Sequence, residues 1–155
     1  MEIALDPPHG AGPVRLGMTA DEARAALETL GPLAPGALGE LAITLPSGLY
    51  VSVGFGVSGP TAHRVNAIEL HRPDQDTDTV RFRDVDVFTR PAERVLDGLR
   101  RLTRVDEDED TGGFIAPDLL LAFSLDDGYF ASVLLARPGY YDTPAQAAAR
   151  DHPGY

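Results

Sequence analysis

The chain has 155 residues, 43% of them apolar, and a formal charge of −11 from 24 acids and 13 bases, all of the bases arginine. That length suits one ordinary domain able to bury a core and is too short for two large independent ones. The absence of cysteine excludes disulfides, thiolate metal sites and cysteine nucleophiles, and the acidity, spread over both halves, repels phosphate-rich nucleic acid while suiting solubility or a basic protein partner.

No run approaches the roughly 18 to 20 consecutive apolar residues of a membrane helix. Residues 1–6, MEIALD, have neither the basic nor the apolar region of an export signal. The expectation is a cytoplasmic protein without membrane association. Thr19, followed three residues later by Glu22, is a capping box that starts a helix, and Ala23, Ala26, Leu27 and Leu30 make its apolar stripe before Gly31-Pro32 stops it. Leu41, Ile43 and Leu45 alternate with small or polar residues, as do Leu49, Val51, Val53 and Phe55; with Pro46-Ser47-Gly48 between them they read as a hairpin. A further strand runs through Ile68 and Leu70 to Arg72-Pro73.

The pattern then recurs. A strand over Val80 to Phe88, irregular at Asp84, leads to Thr89-Arg90-Pro91, where Thr89 caps a second helix with the stripe Ala92, Val95, Leu96 and Leu99. Leu119, Leu121, Phe123 and Leu125 correspond to Leu49, Val51, Val53 and Phe55, and Asp126-Asp127-Gly128 is the next turn. Val133, Leu135 and Arg137-Pro138 repeat Ile68, Leu70 and Arg72-Pro73. Recurrence in the same order at nearly one spacing marks an internal repeat. The expected fold is α+β: a single domain over 1–155, with a tandem pseudo-repeat at about 12–73 and 79–138. Each repeat supplies a helix plus about three antiparallel strands, forming one sheet with helices on one face, followed by a C-terminal tail at 139–155.

The run GPVRLGMTADEARAALETLG at 12–31 carries a Gly-Met-Thr-x-x-acid-apolar-Arg-x-x-Leu pattern. It resembles the small outer-membrane assembly lipoproteins and the related tandem β-lactamase-inhibitory proteins. The chain is also similar to a family of actinobacterial proteins of uncharacterised function that share LGMT, here Leu16 to Thr19, and RPGYYD, here Arg137 to Asp142. The lipoprotein and inhibitor resemblance implies a helical segment packed on a small antiparallel sheet, duplicated in the inhibitory proteins, and a role in protein binding. The chain departs from it in lacking a lipobox, cysteine and a second helix in each module, so β-lactamase inhibition is not carried over.

Candidate chemistry is sparse. Asp106, Asp108 and Asp110 have the spacing that begins a calcium loop, but Thr111 stands where its glycine belongs and Pro117 where its bidentate glutamate belongs. Asp74, Asp76 and Asp78 repeat that spacing in the inter-module connection and read as a solvated loop. His9, His63, His71 and His152 form no paired-histidine helix motif. Ser52, Ser58, Ser124 and Ser132 have no nucleophile elbow, and Gly54-Phe55-Gly56 lacks the rest of a dinucleotide fingerprint. No catalytic residue, metal site or cofactor is assigned, and the reading weighs against an enzyme.

Alternation along the strands sends Val51, Val53, Phe123 and Val133 towards the helices. Tyr50, Ser52, Val65, Ala67, His71, Leu120, Ala122, Phe130 and Leu134 then point to the opposite face. That face is apolar enough to mark a partner site, unless Tyr140, Tyr141 and Tyr155 of the tail or a second copy cover it. The partner-binding residues are accordingly Tyr50, Ser52, His71, Leu120, Phe130 and Leu134, with Arg81 and Arg83 on one strand edge to orient an acidic group. The leading expectation is a non-enzymatic protein-binding module of inhibitor or immunity type, with a protein partner or self-association. The alternative is a small hydrolase or isomerase whose His71 and nearby acids meet in a pocket on that face.

Overall fold

The helix expected after Thr19 forms as α1 (Ala20–Glu28), and both halves of its capping box are made. The Glu22 amide donates to Thr19 Oγ1 at 3.2 Å, and the Thr19 amide donates to Glu22 Oε1 at 2.9 Å. The backbone N–H of Thr19, and then its hydroxyl, hold the Glu22 carboxyl below its ordinary range. Just upstream, Gly17 adopts φ +91°, which favours glycine. From there the Gly17 amide donates to Val65 O and the Val65 amide to Met18 O, each at 2.8 Å, so the LGMT stretch docks on a strand of the sheet.

The computed structural model describes residues 1–35, 40–56 and 62–137; the expected tail at 139–155, with Tyr140, Tyr141, Tyr155 and His152, and also Ser58, lie outside the described residues. Among those described, β4 (Leu33–Pro35), β5 (Leu41–Thr44), β6 (Tyr50–Phe55) and β7 (Val65–His71) form one antiparallel meander. A second consists of β10 (Asp106–Glu107), β11 (Phe114–Ala116), β12 (Leu121–Asp126) and β13 (Tyr129–Ala136). They meet along an antiparallel β7/β13 pairing, giving an eight-stranded sheet in the order β10-β11-β12-β13-β7-β6-β5-β4.

A second sheet of five strands accompanies it, in the order β3-β2-β1-β8-β9, from β1 (Glu2–Asp6), β2 (Gly10–Ala11), β3 (Val14–Arg15), β8 (Thr79–Phe82) and β9 (Val85–Asp86). The expectation of one sheet is corrected on this point. Its source is the Val80–Phe88 segment, expected as one irregular strand: Phe82 pairs with Val85 across the Arg83-Asp84 turn, and Arg83 takes φ 56°. Strand β8 therefore folds back as a hairpin and pairs in parallel with β1 instead of joining the large sheet. Helix α2 (Ala92–Arg100) begins from Pro91 without a side-chain cap, not from Thr89. The Phe88 and Thr89 amides are taken instead by Asp86 Oδ1.

Alternation makes the inner face of the large sheet apolar from β5 to β11, and Glu107 of β10, opposite Phe114, stands exposed at its edge. Ile43, Val51, Leu70, Val133, Phe123 and Phe114 form one cross-strand row, and Leu41, Val53, Ile68, Leu135, Leu121 and Ala116 form the next. These rows share a single cluster with Ala23, Ala26 and Leu27 of α1, Val95, Leu96 and Leu99 of α2, and Ile3, Val80 and Phe82 of the small sheet. Burial of each such side chain stabilises by about 1.5–3 kcal/mol.

Strict alternation fails at two places. The ladder shifts register between Gly54 and Phe55, leaving Asn66 as the extra residue of β7, and between Ser124 and Leu125, leaving Ala131 as the extra residue of β13. A bulge turns the residues beyond it to the other face. Val65 and Phe130, expected on the outer face, are for this reason wholly buried in the core. Phe130 stacks on Phe123 at 4.6 Å between ring centroids and meets Phe114 edge-on at 6.2 Å. Leu120 is also not on that face. It ends a 3-10 turn, Pro117–Leu119, with φ 58°, ahead of β12, and packs against the core.

The turn joining β5 to β6 ties the large sheet to the segment that enters β8. Ser47, 2% exposed, donates its hydroxyl to Asp78 Oδ2 at 2.5 Å and accepts the Asp74 and Gln75 amides on its carbonyl. That hydroxyl, followed by the Met1 amino group at 3.2 Å, holds the Asp78 carboxyl below its ordinary range. A carboxyl lowered in the folded state contributes stability above its unfolded value, near pH 4, and loses it as pH falls through the lower folded value. In Ser47→Ala the pH-dependent part of the stability loss should therefore be full at neutral pH and vanish in acid, as urea titrations at a series of pH values would measure. Leu70→Ala, by contrast, should cost about 2–5 kcal/mol at every pH.

Candidate functional site on the outer sheet face

The outer face of the large sheet has two cross-strand rows of its own. One runs Thr44, Tyr50, His71, Ser132 and Ser124; the other runs Ala42, Ser52, Glu69, Leu134, Ala122 and Ile115. Between the rows and the sheet's turn of register lies a hollow of about 360 Å³, lined by Glu40, Tyr50, Ser52, Gly54, Ala67, Glu69, His71 and Leu134. A neighbouring hollow of about 230 Å³ shares Glu69 and Leu134 and extends over Ile115, Ala122 and Ser132 to Asp108 and Thr111. The Glu69–Leu134 pair, on the β7/β13 seam, is thus the ridge between them.

Four of the residues expected from sequence, Tyr50, Ser52, His71 and Leu134, come together in the larger hollow. Tyr50 and His71 are opposite each other on β6 and β7, and their rings stack with centroids 5.4 Å apart and planes 25° apart. His71 Nε2 lies 2.5 Å from Glu69 Oε1, two residues back on the same strand and so on the same face. The side chains of His71 and Glu69 are 48% and 38% exposed, and a pair this open to water is worth only about 0–1 kcal/mol. It orients the ring more than it stabilises the fold.

Asn66, Glu40 and Gly54 are not among the residues expected on this face, and Glu69 is expected only as one of the acids near His71. Asn66 is the extra residue of the β7 bulge and is 5% exposed. Its Oδ1 is shielded from solvent, has no hydrogen-bond partner among the described residues, and lies 3.5 Å from where a Cβ on Gly54 would stand. Leaving such a buried carbonyl without a donor costs about 1–3 kcal/mol. An asparagine inside the apolar run from Val65 to Leu70 was the available signal, since a strand core seldom keeps an amide without a use for it. With the Glu40 and Glu69 carboxylates and the Tyr50 ring in its lining, the hollow is rich in acceptors and suits a cationic donor such as a guanidinium or ammonium group.

The other expected residues lie elsewhere. Arg81, on β8 of the small sheet, pairs with Glu2 Oε1 at 2.5 Å and donates to Asp84 O at 3.3 Å. It lines a separate polar depression with Asp84, Asp86, Thr89 and Arg90. Arg83 stands in the turn with its guanidinium 6.0 Å from the Phe82 ring centroid. The two arginines do not share a strand edge, because the turn intervenes. Leu120 and Phe130 leave the site for the reasons already given.

In the acidic run, Asp108 Oδ1 accepts the Asp110 amide and Oδ2 the Thr111 hydroxyl, so it closes its own turn. Among the described residues no three His, Asp or Glu side chains converge as metal ligands would, and no helix is long and apolar enough to cross a membrane. No family model, curated protein or solved structure matches the chain.

Removing a buried side-chain carbonyl that has no hydrogen-bond partner among the described residues removes a penalty along with its packing. Asn66→Ala should therefore change the unfolding free energy by less than about 1 kcal/mol in either direction, well short of the loss usual for a core truncation. Chemical denaturation of the purified variant measures the difference.

Proposed function

We propose that the chain is a non-enzymatic protein-binding module of inhibitor or immunity type, acting in the cytoplasm, which takes a basic protein partner on the outer face around Tyr50, Ser52, His71 and Leu134. The observation that carries this reading is an asymmetry between two equivalent halves. The register shifts at Gly54/Phe55 and Ser124/Leu125 fall at corresponding points of the two meanders, as do the extra residues Asn66 and Ala131, which favours the tandem repeat with its helices on the inner face. At matching outer positions the first half carries Ser52, Asn66 and Glu69 where the second carries Ala122, Ala131 and Leu134, while Ser124 and Ser132 of the second stand where the first has Gly54 and Ala67. The scaffold accepts small or apolar residues there. The polar groups at those three positions of the first half, among them an amide whose buried Oδ1 has no hydrogen-bond partner among the described residues, are thus better explained by recognition than by folding.

The mixed composition supports a protein surface over a small-molecule one. An apolar strip of Leu134, Ala122 and Ile115 adjoins the acceptors Glu40 and Glu69 in a chain of net charge −11, and these complement a basic, partly apolar patch. The His71–Glu69 contact also favours a second reading, a small hydrolase or isomerase with His71 as general base. Both side chains are substantially open to water, which supports orientation of a binding surface over protected proton transfer.

The test begins with capture of a partner from the native cells and continues with binding of that purified protein. Tyr50→Ala combined with Leu134→Asp should weaken it by at least about thirty-fold, since central truncations cost about 2 kcal/mol or more, while the unfolding midpoint shows the fold retained. Affinity should also fall with added salt. A partner that binds the double variant as tightly as the parent would remove the face from the proposal, and a chain that only forms its own dimer would replace the partner.

A further inference from the structure

On the other side of the LGMT stretch lies a hollow of about 340 Å³ that the outer face does not include, lined by Pro8, His9, Arg15, Leu16, Leu120 and Arg137. It gathers two arginines and a histidine in a chain whose net charge is −11. Arg15 is neutralised by Asp6, whose Oδ2 lies 2.5 Å from its Nη1. Arg137 is different. Among the described residues it has no carboxylate partner, whereas Arg72, its counterpart at the end of the other meander, pairs with Asp126 at 3.0 Å.

The position of Arg137 makes this more than a solvated surface charge. Its amide is fixed to Asn66 O at 2.9 Å, where β13 ends against β7. Its Nε is shielded from solvent and, among the described residues, has no hydrogen-bond partner. The Nη2 lies 3.3 Å from where a Cβ on Gly17 would stand, so the glycine at φ +91° gives the guanidinium room against the backbone. Arg64, which donates to Gly17 O at 3.0 Å, adds positive charge on the same stretch. A guanidinium drawn partly out of water without a counter-charge is costly, and an anion placed on it recovers more than it would on a fully hydrated arginine. The planar fork of arginine matches two oxygens of one oxyanion.

We propose that this hollow is an oxyanion-binding site, with Arg137 as the principal contact and Arg15 and His9 at its rim, that takes a phosphate or carboxylate group. It is separate from the acceptor-rich outer face, and the charge preference of the two sites is opposite. The test is titration of the full chain with inorganic phosphate, with acetate, and with chloride at matched ionic strength, following the Arg137 Nε–H and His9 ring resonances by NMR. Saturable shifts with phosphate or acetate but not chloride are expected, the stronger of the two naming the ligand class. Arg137→Gln should weaken the effect by at least about ten-fold, while Arg72→Gln, which removes the paired counterpart, should leave it unchanged. Arg15→Gln should weaken it less than Arg137→Gln and provides a second variant should the latter fail to fold. Equal responses to all three salts, or full binding by folded Arg137→Gln, would overturn the proposal.

Discussion

The register in which β7 meets β13 is the constraint on which the sheet depends. Leu70 opposite Val133 and Ile68 opposite Leu135 form the buried centre of the inner face, all four fully shielded. Because side chains alternate, the same register places Glu69 against Leu134 and His71 against Ser132 on the other side. A slip of β7 by one residue against β13 would drive Glu69 into the core and expose Leu70. The core therefore fixes the geometry of the outer face without any of the outer residues having to stabilise it.

That separation explains how one half of the sheet can carry polar groups without disturbing the fold. The two bulges serve both purposes at once: each returns a large side chain, Val65 or Phe130, to the core and places a residue, Asn66 or Ala131, at an irregular point of the ladder. In the second meander that residue is a small apolar one. In the first it is an amide whose side-chain carbonyl has no partner among the described residues, beside a glycine that leaves the space open. Similar division appears at the strand ends, where Arg72 is matched by Asp126 and Arg137 has no carboxylate partner among the described residues.

Much of this was legible from hydrophobic period alone. Alternation placed Tyr50, Ser52, His71 and Leu134 on one face because no bulge intervenes between them and the core residues used to set the phase. It failed for Val65 and Phe130, since each lies one residue beyond a bulge, and a bulge has no hydrophobic signature of its own. Leu120 was misread because a 3-10 turn with a left-handed end mimics the start of a strand in sequence. The small sheet went unseen for a related reason: VRFRDVDVF has continuous strand character, and only the left-handed Arg83 in the structure reveals a turn there. Glu69 was within reach, since it stands two residues from His71 on the same strand and alternation puts both on one face.

The central claim is that recognition belongs to the outer face of the first meander, held in place by the β7/β13 seam. Hydrogen exchange and side-chain NMR of the chain with and without its captured, purified partner would test it most directly. The expected footprint covers Tyr50, Ser52, Glu69, His71 and Leu134 and leaves the small sheet and both helices unchanged. A footprint centred on β1, β8 or the helices, with those five residues unaffected, would contradict it.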